Sequence, residues 1–414
     1  MKAAAAARLI RRIDHPVLPS QITPVPTPQS LPRVAVITTE LGVRSEVWIL
    51  RQLAAFTRVQ PVLFGWADAE NPLPMPSGLE VRRFSQGNTR KPGRLQRLCR
   101  RLGLAAGYLP DAATRRAIPG ELAEARIDAV LCHFAWNAIP VAGALDGALP
   151  IVAQVHGRDV SALLEQPAYR AALRRTLPRI DHIVAVGSFQ LRRLQSLGLR
   201  PEHSLIPCGA PTALFGRNPL PQRLPGQPIR FISVGRVSHE KGVLESLRAF
   251  ELLHAQHPAS ELVFVGHGPA EAELAAAIAA SPAAGAVRRT GYMSPEQLAA
   301  LLASCHVLLQ HSREIGGWIE GFGVTLTEGG AAGLPLVASS SGGIPDQVHD
   351  GVNGFLFQPG DIESQAGAMA RLATDEPLRL RMGAAAREVA QGYDADLMAI
   401  RIEDILLAQL ARSG

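Results

Sequence analysis

The chain has 414 residues, 47% of them hydrophobic and 19% charged. That is too long for one ordinary core and too apolar for a disordered chain, so two globular domains of roughly 150 to 200 residues are expected. The formal charge of +6 is uneven, and four scattered cysteines with no CxxC pair argue against a disulfide framework or a zinc cluster; a reducing cytosol fits that usage.

Residues 1–32 run from "MKAAAAARLIRRIDHP" into "LPSQITPVPTPQSLP", whose proline spacing reads as extended, disordered chain. The apolar part is short and broken by Arg8, Arg11 and Arg12, unlike a signal peptide. Nowhere do about 18 apolar residues follow one another, so no transmembrane helix is expected. From residue 33 onward short apolar runs alternate with helix-length segments: "RVAVITT", "PVLFGWA", "AVLCHFA", "PIVAQVHG" and "HIVAVGS" read as buried strands. Such alternation predicts a parallel sheet covered on both faces.

Within this half, "VRRFSQGNTRKPGRLQRLCRRLGL" (81–104) is rich in arginine and holds no acid. Leu95, Leu98 and Leu102 recur at helical spacing beside Arg94, Arg97, Arg100 and Arg101. The ordinary reading of 94–104 is a solvated helix whose leucines face the core; the alternative is a basic amphipathic helix resting on anionic lipid. Nucleic acid is not expected as a partner, because aromatics do not interleave with the charges.

"CGAPTALFGRNPLPQRLPGQP" is dense in proline and glycine and carries the interdomain linker, 211–228, between a first domain over 33–210 and a second over 229–394. After it the rhythm restarts with "IRFISVGRV", "ELVFVGHG", "VRRTGYM", "HVLLQHS" and "LPLVASS". The α/β expectation is therefore two doubly wound, Rossmann-like domains with ligand in the cleft, at the carboxyl ends of strands. The last segment, 395–414, has the apolar period of an amphipathic helix.

Two stretches of the second domain carry chemistry. In "FISVGRVSHEKG" a strand ends at Gly235-Arg236 and Lys241-Gly242 opens a helix. Glycines admit close backbone approach, and cations at a helix N-terminus suit a diphosphate. The order is not that of a GxxxxGK[ST] loop. Only three of the 42 basic residues are lysines, Lys2, Lys91 and Lys241, which makes Lys241 stand out as a compact point charge. In "EGFGVTLTEGGAAGLP", Glu320 and Glu328 are eight positions apart, about 80° out of line on a single helix. A glycine-rich loop followed by a short helix brings both to one cleft, with the amides of Gly321, Phe322 and Gly323 available to an anion. Carboxylates accept hydrogen bonds from vicinal hydroxyls, so one glutamate can hold each end of a nucleotide sugar.

These motifs resemble the retaining GT-B glycosyltransferases of family 4, the glycosyltransferases group 1. Glu320 and Glu328 match that family's E-x7-E element, "SVGRVSHEKG" its donor-diphosphate motif, and "GYMSPEQLAALLASCHVLL" the segment approaching the base. The resemblance spans about residues 33 to 394 and is strongest over 229–360. It implies sugar transfer from a nucleotide-diphosphate donor with retention, Arg236 and Lys241 on the diphosphate, Glu320 at the donor sugar and Glu328 on the ribose, with no cofactor or metal. "QVHGRDVS" looks like the HGxD element of bacterial exopolysaccharide members, including those of colanic-acid type, which would set His156 near the reacting centre with Asp159 positioning it or the acceptor. "ELGVRSEVWILRQL" is similar to the family's first loop and helix but offers Gly42 alone where a Gly-Gly pair is usual. In such proteins the C-terminal helix crosses back onto the first domain; a dimer helix is the alternative.

Retention admits a double displacement or attack on the face the diphosphate leaves. The resemblance gives Glu320 to sugar hydroxyls, which leaves no nucleophile and favours same-face attack. The implied acceptor is a saccharide or lipid-linked saccharide, and the implied location cytoplasmic, peripheral on the inner membrane face. A non-catalytic nucleotide-sugar-binding partner in a membrane-associated assembly is the alternative.

Overall fold

Short apolar runs closed by turn residues build two large parallel sheets in the computed structural model, which describes residues 30–87, 93–199 and 201–413. Residues 1–29 of the stretch read above as disordered lie outside the described residues. The first sheet comprises β1 (Arg33–Ile37), β2 (Gln60–Gly65), β3 (Glu80–Arg83), β4 (Ala129–His133), β5 (Ile151–Val155), β6 (His182–Ala185) and β7 (Glu202–Leu205). Their spatial order is β3-β2-β1-β4-β5-β6-β7. The second comprises β8 (Ile229–Val234), β9 (Ser260–Val265), β10 (Val287–Arg289), β11 (Val307–Gln310), β12 (Leu336–Ser339) and β13 (Gly354–Phe357), in the order β10-β9-β8-β11-β12-β13.

Both sheets are doubly wound. Ala35 of β1 pairs with Val62 on one side and Val130 on the other, and Ile232 of β8 lies between Val263 and Leu308. Chain order reverses at β1/β4 and at β8/β11, and a crevice opens at the carboxyl ends of strands at such points. Alternate residues of each strand feed opposite cores: Ala35, Ile37, Val62 and Phe64 enter one, Val34, Val36 and Leu63 the other. Burying each such Val, Ile, Leu or Phe side chain is worth about 1.5 to 3 kcal/mol. That two-sided burial is why these strands read as continuous apolar runs.

The helices that matter below are α1 (Val47–Ala55), α2 (Arg94–Arg101), α3 (Ala135–Leu145), α4 (Ser188–Ser196), α5 (Val243–Gln256), α6 (Val324–Ala331), α7 (Glu376–Gln391) and α8 (Ala395–Ser413). The chain leaves the second sheet through α7, and α8 returns to the first. There Met398, Ala399, Ile402 and Leu406 are buried with Val34, Val36 and Leu131. Glu403, also buried on α8, accepts from the amides of Thr57 (2.8 Å), Arg58 (2.6 Å) and Val59 (3.2 Å), capping the turn that follows α1.

Helix α2 departs from the ordinary reading of its leucines. Leu95, Leu98 and Leu102 are 74%, 53% and 64% exposed. Its inner face is taken instead by Gln96 and Arg100, one turn apart. Gln96 Nε2 donates to the Leu109 carbonyl (3.3 Å), and Arg100 Nε to that of Gly107 (2.8 Å). The Arg100 guanidinium also lies 4.0 Å from the centre of the Tyr108 ring. The loop after α2 exposes carbonyls that only donors can meet, so the polar pair turns inward and the leucines outward.

Candidate functional site

A cleft of about 980 Å³ lies between the carboxyl ends of the two sheets. Arg236, Lys241, Glu320, Gly321, Phe322, Gly323, Glu328 and His156 all border it. Among the described residues, no group of three or more His, Cys, Asp and Glu side chains could hold a metal ion.

On the second sheet, β8 runs into Gly235 (φ +146°), a backbone conformation that strongly favours glycine. Gly242, at φ +60°, caps α5, and a Cβ there would come within 1.9 Å of the His311 carbonyl oxygen. That close approach seats Lys241 over the end of β11. Its Nζ reaches Glu320 Oε2 at 2.5 Å and lies 5.5 Å from the centre of the Trp318 ring. Arg236 is half exposed and pairs with Glu240 at 2.7 Å, within the same turn.

Glu320 sits on a loop that α6 follows. Its Oε2 accepts from Lys241, from Ser312 Oγ (2.7 Å) and from Gln310 Nε2 (2.9 Å). Burial alone would raise its pKa; Lys241 and these two donors overcome that and hold the carboxyl below the usual glutamate range. A carboxylate so held is a fixed acceptor and a poor proton donor. Ser312 and Gln310 escaped the sequence reading. The only signal for them was a polar pair closing the apolar run "HVLLQHS".

Glu328, on the second turn of α6, is buried against small residues, and burial pushes its pKa up to about 7 although Arg51 opposes this. Arg51 Nη1 stands 3.7 Å from its Oε1. Among the described residues no carbonyl or side chain accepts from the amides of Gly321, Phe322 or Gly323. The Phe322 side chain turns away, against Tyr393 with ring centres 5.3 Å apart.

The first sheet contributes the end of β5. The Asp159 carboxylate accepts from the amides of His156 (3.1 Å), Gly157 (2.8 Å) and Ala135 (3.0 Å), so it holds the backbone at His156 and caps α3. Ring nitrogen Nε2 of His156 meets His133 Nδ1 at 3.3 Å, and Nδ1 meets the Cys208 thiol at 3.6 Å. Burial keeps both imidazoles neutral, with His133 driven down to about 3. Both nitrogens of His156 are thus engaged, and a ligand hydroxyl would reach one only by displacing a partner, of which the thiol is the weaker. Trp48 covers the ring at 4.3 Å between centres.

Gln190 is among the side chains that tie the two walls together. Gln190 Nε2, from α4, donates both to the His156 carbonyl (2.7 Å) and to the Gly321 carbonyl (2.8 Å). Gly321 lies so close that a Cβ would fall 2.2 Å from the His156 oxygen. Gln190, His133 and Trp318 carry no sequence motif of their own, and Arg51 lies in "ELGVRSEVWILRQL" without being marked by it; each is recognisable only through what it touches.

Two family models match the chain: "Glycosyl transferases group 1" over residues 218–389 and "Glycosyltransferase Family 4" over 76–214. The amylovoran biosynthesis glycosyltransferase AmsK of Erwinia amylovora is 33% identical over 151 residues, which is 36% of this chain and 37% of that protein. The chain thus spans little more than a third of that relative's length. The colanic acid biosynthesis glycosyltransferase WcaL of Salmonella typhimurium, itself named as putative, is 26% identical over 288 residues, 67% of this chain and 70% of that one. In three dimensions the chain is similar to HepE of Anabaena, solved in complex with UDP, with a TM-score of 0.69 and 18% identity over 91% of this chain and 100% of HepE. The fold is that shared two-sheet GT-B architecture.

Proposed function

We propose that this chain, which belongs to the group 1 and family 4 glycosyltransferases, moves a sugar from a nucleotide diphosphate to a saccharide or lipid-linked saccharide with retention at the anomeric carbon. Its relatives AmsK and WcaL are named for amylovoran biosynthesis and, as putative, for colanic acid biosynthesis, which supports a role in a cell-surface glycan. The observation that carries the reading is the contact of Lys241 with Glu320: the cation suited to the leaving diphosphate touches the carboxylate suited to the sugar.

In this reading Glu328 takes the ribose hydroxyls. Arg236, Lys241 and the 321–323 amides take the diphosphate and the negative charge that grows on it, so no divalent metal is called for. Glu320 and His156 hold the sugar. The bond from the anomeric carbon to the phosphate oxygen breaks, the acceptor oxygen bonds to that carbon on the same face, and the acceptor's proton passes to the departing phosphate. Double displacement fits less well, because Oε2 of Glu320 is already committed to three donors.

A thermal-shift screen with UDP-glucose, GDP-mannose and ADP-glucose tests the donor site. One of them at a hundred times its Kd stabilises the native state by about 2.7 kcal/mol, and NMR of the transfer product then reads the anomeric configuration. Binding without transfer to any acceptor would turn the reading toward a nucleotide-sugar-binding partner, and an inverted product would overturn the same-face mechanism.

The exposed leucines of α2 support docking on anionic lipid at the cytoplasmic face of a membrane, since Arg94, Arg97 and Arg101 flank them. No described helix is long and apolar enough to cross a membrane. Changing Arg94, Arg97 and Arg101 to Gln is expected to lower partition onto phosphatidylserine vesicles roughly a hundredfold, at about 1 kcal/mol per charge. Co-sedimentation measures this, and equal binding by wild type and variant would remove the lipid from the reading.

A further inference from the structure

The two glutamates at the cleft are supported in opposite ways. Glu320 has three donors from its own domain within 2.9 Å. For Glu328, among the described residues, no hydrogen bond to the side chain is formed, and its charged neighbour is Arg51, from the helix that follows the first strand of the other sheet. The side chains of Arg51 and Glu328 are 21% and 10% exposed, so the pair is shielded but open to the cleft both residues border. At 3.7 Å the guanidinium balances the carboxylate without occupying it with a short hydrogen bond. The oxygens of Glu328 remain available as acceptors.

We propose that Arg51 is a positioning residue for the donor: reaching across the cleft, it orients and charge-balances the Glu328 carboxylate so that it can accept from both ribose hydroxyls. The inference rests on the reading that Glu328 takes the ribose. It gives the donor a contact with the first domain from the helix of "ELGVRSEVWILRQL", a stretch whose likeness to the family did not single out Arg51. It also ties ribose recognition to the approach of the two walls, because the cation and the carboxylate belong to different sheets.

The charges around this pair are few. Against α6, α7 brings Arg387, whose guanidinium bonds the carbonyls of Ala331, Ala332 and Asn218 at the far end of the helix. Strands β11 and β12 bring no charged side chain. Thr212–Phe215, the short helix also packed there, carries none and is followed by Arg217. Arg51 and Arg217 both act on the exposed Glu296 near the rim. Arg51 is the cation that acts on Glu328 itself.

The test uses the full chain, the sugar nucleotide that binds in the screen above and its 2′,3′-dideoxy analogue, titrated by calorimetry from pH 6 to pH 9 against wild type, Arg51→Gln and Arg51→Lys. The phosphates of a sugar diphosphate do not titrate over this range and any loss of a base proton near its upper end is common to wild type and variants, so the difference between their profiles reports the protein. A cation at this distance lowers a carboxyl pKa by about one unit or more, so Arg51→Gln is expected to weaken the ribonucleotide about tenfold at pH 7. The loss shrinks toward pH 9, where Glu328 ionises without help. Arg51→Lys recovers most of the affinity, the dideoxy analogue is indifferent to either change, and in a Glu328→Gln background Arg51→Gln adds nothing. Equal losses for the two nucleotides, or no loss, would overturn the proposal while leaving the donor site intact. If wild type binds none of the three sugar nucleotides, the function reading falls, and this inference with it.

Discussion

Lys241→Ala is expected to lower kcat/KM for the sugar nucleotide about a thousandfold, the scale of removing one preorganised group that stabilises transition-state charge. Two losses add. The diphosphate loses a point charge at the mouth of α5, and Glu320 loses the strongest of the influences that offset its burial. The second has its own signature in stability. Breaking a buried pair by removing one partner costs about 3 to 5 kcal/mol; Lys241 is 22% exposed, so roughly 2 to 3 kcal/mol is expected here. Because the folded pKa of Glu320 is depressed, its contribution is present above the unfolded glutamate pKa and disappears as pH falls through the folded one. Melting curves of wild type and variant should therefore lie well apart at pH 7 and draw together in acid. A constant gap across that range would mean that the lysine acts by packing on Trp318 rather than by charge. Lys241→Arg keeps the charge but swaps a compact ammonium for a planar fork, and should recover only part of the activity.

The second large effect belongs to Glu320. In Glu320→Gln the amide oxygen still accepts from Ser312, so the loop keeps its shape while the negative charge beside the sugar is gone. kcat is expected to fall by about two to three orders of magnitude, with nucleotide affinity changed only a few-fold. Glu320→Ala adds a discriminating measurement. If the side chain were a covalent nucleophile, azide entering the vacated space would restore turnover and yield a glycosyl azide of inverted configuration. No rescue is expected, because the carboxylate is an acceptor clamped by three donors. An inverted azide product would show a double displacement instead.

Much of this was legible because both sheets bury their strands on two faces. Runs such as "RVAVI" or "VLLQ" have no polar alternation to confuse with helix, and the chain could be parsed from them. The strands of the two sheets that escaped are outermost ones of a different composition. Glu80–Arg83 is mostly charged, Glu202–Leu205 opens with a glutamate and a histidine, and neither buries a residue, while Gly354–Phe357 begins with a glycine whose Cβ would strike the Leu336 carbonyl at 1.9 Å. For them pairing supplies what periodicity does not. At α2 the pattern was read correctly as amphipathic, but its leucines face outward, because Gln96 and Arg100 answer the carbonyls of the following loop.

The site divides the same way. Glu320, Glu328, Arg236 and Lys241 announce themselves through glycines and spacing along the chain. Arg51, His133 and Gln190 act through space, from strand ends and helices distant in sequence, and Gln310 and Ser312, eight to ten residues before Glu320, are marked only by the polar close of an apolar run. Asp159 falls between: its nearness to His156 was visible, while its work on three backbone amides was not.

Helix α8 carries a consequence for the order in which the molecule is made. The underside of the first sheet is closed by Met398, Ala399, Ile402 and Leu406, and the turn after α1 is capped by Glu403. In the chain these residues follow the whole second sheet, whereas the strands they cover precede it. During synthesis the early half must wait, its lower apolar face bare, while the whole later half is made, whereas domains ordinarily fold as they emerge. The wall that carries Arg51 and His156 is thus finished only after the wall that carries Lys241 and the two glutamates. A chain cut within α8 would lose the first wall while keeping every donor motif of the second.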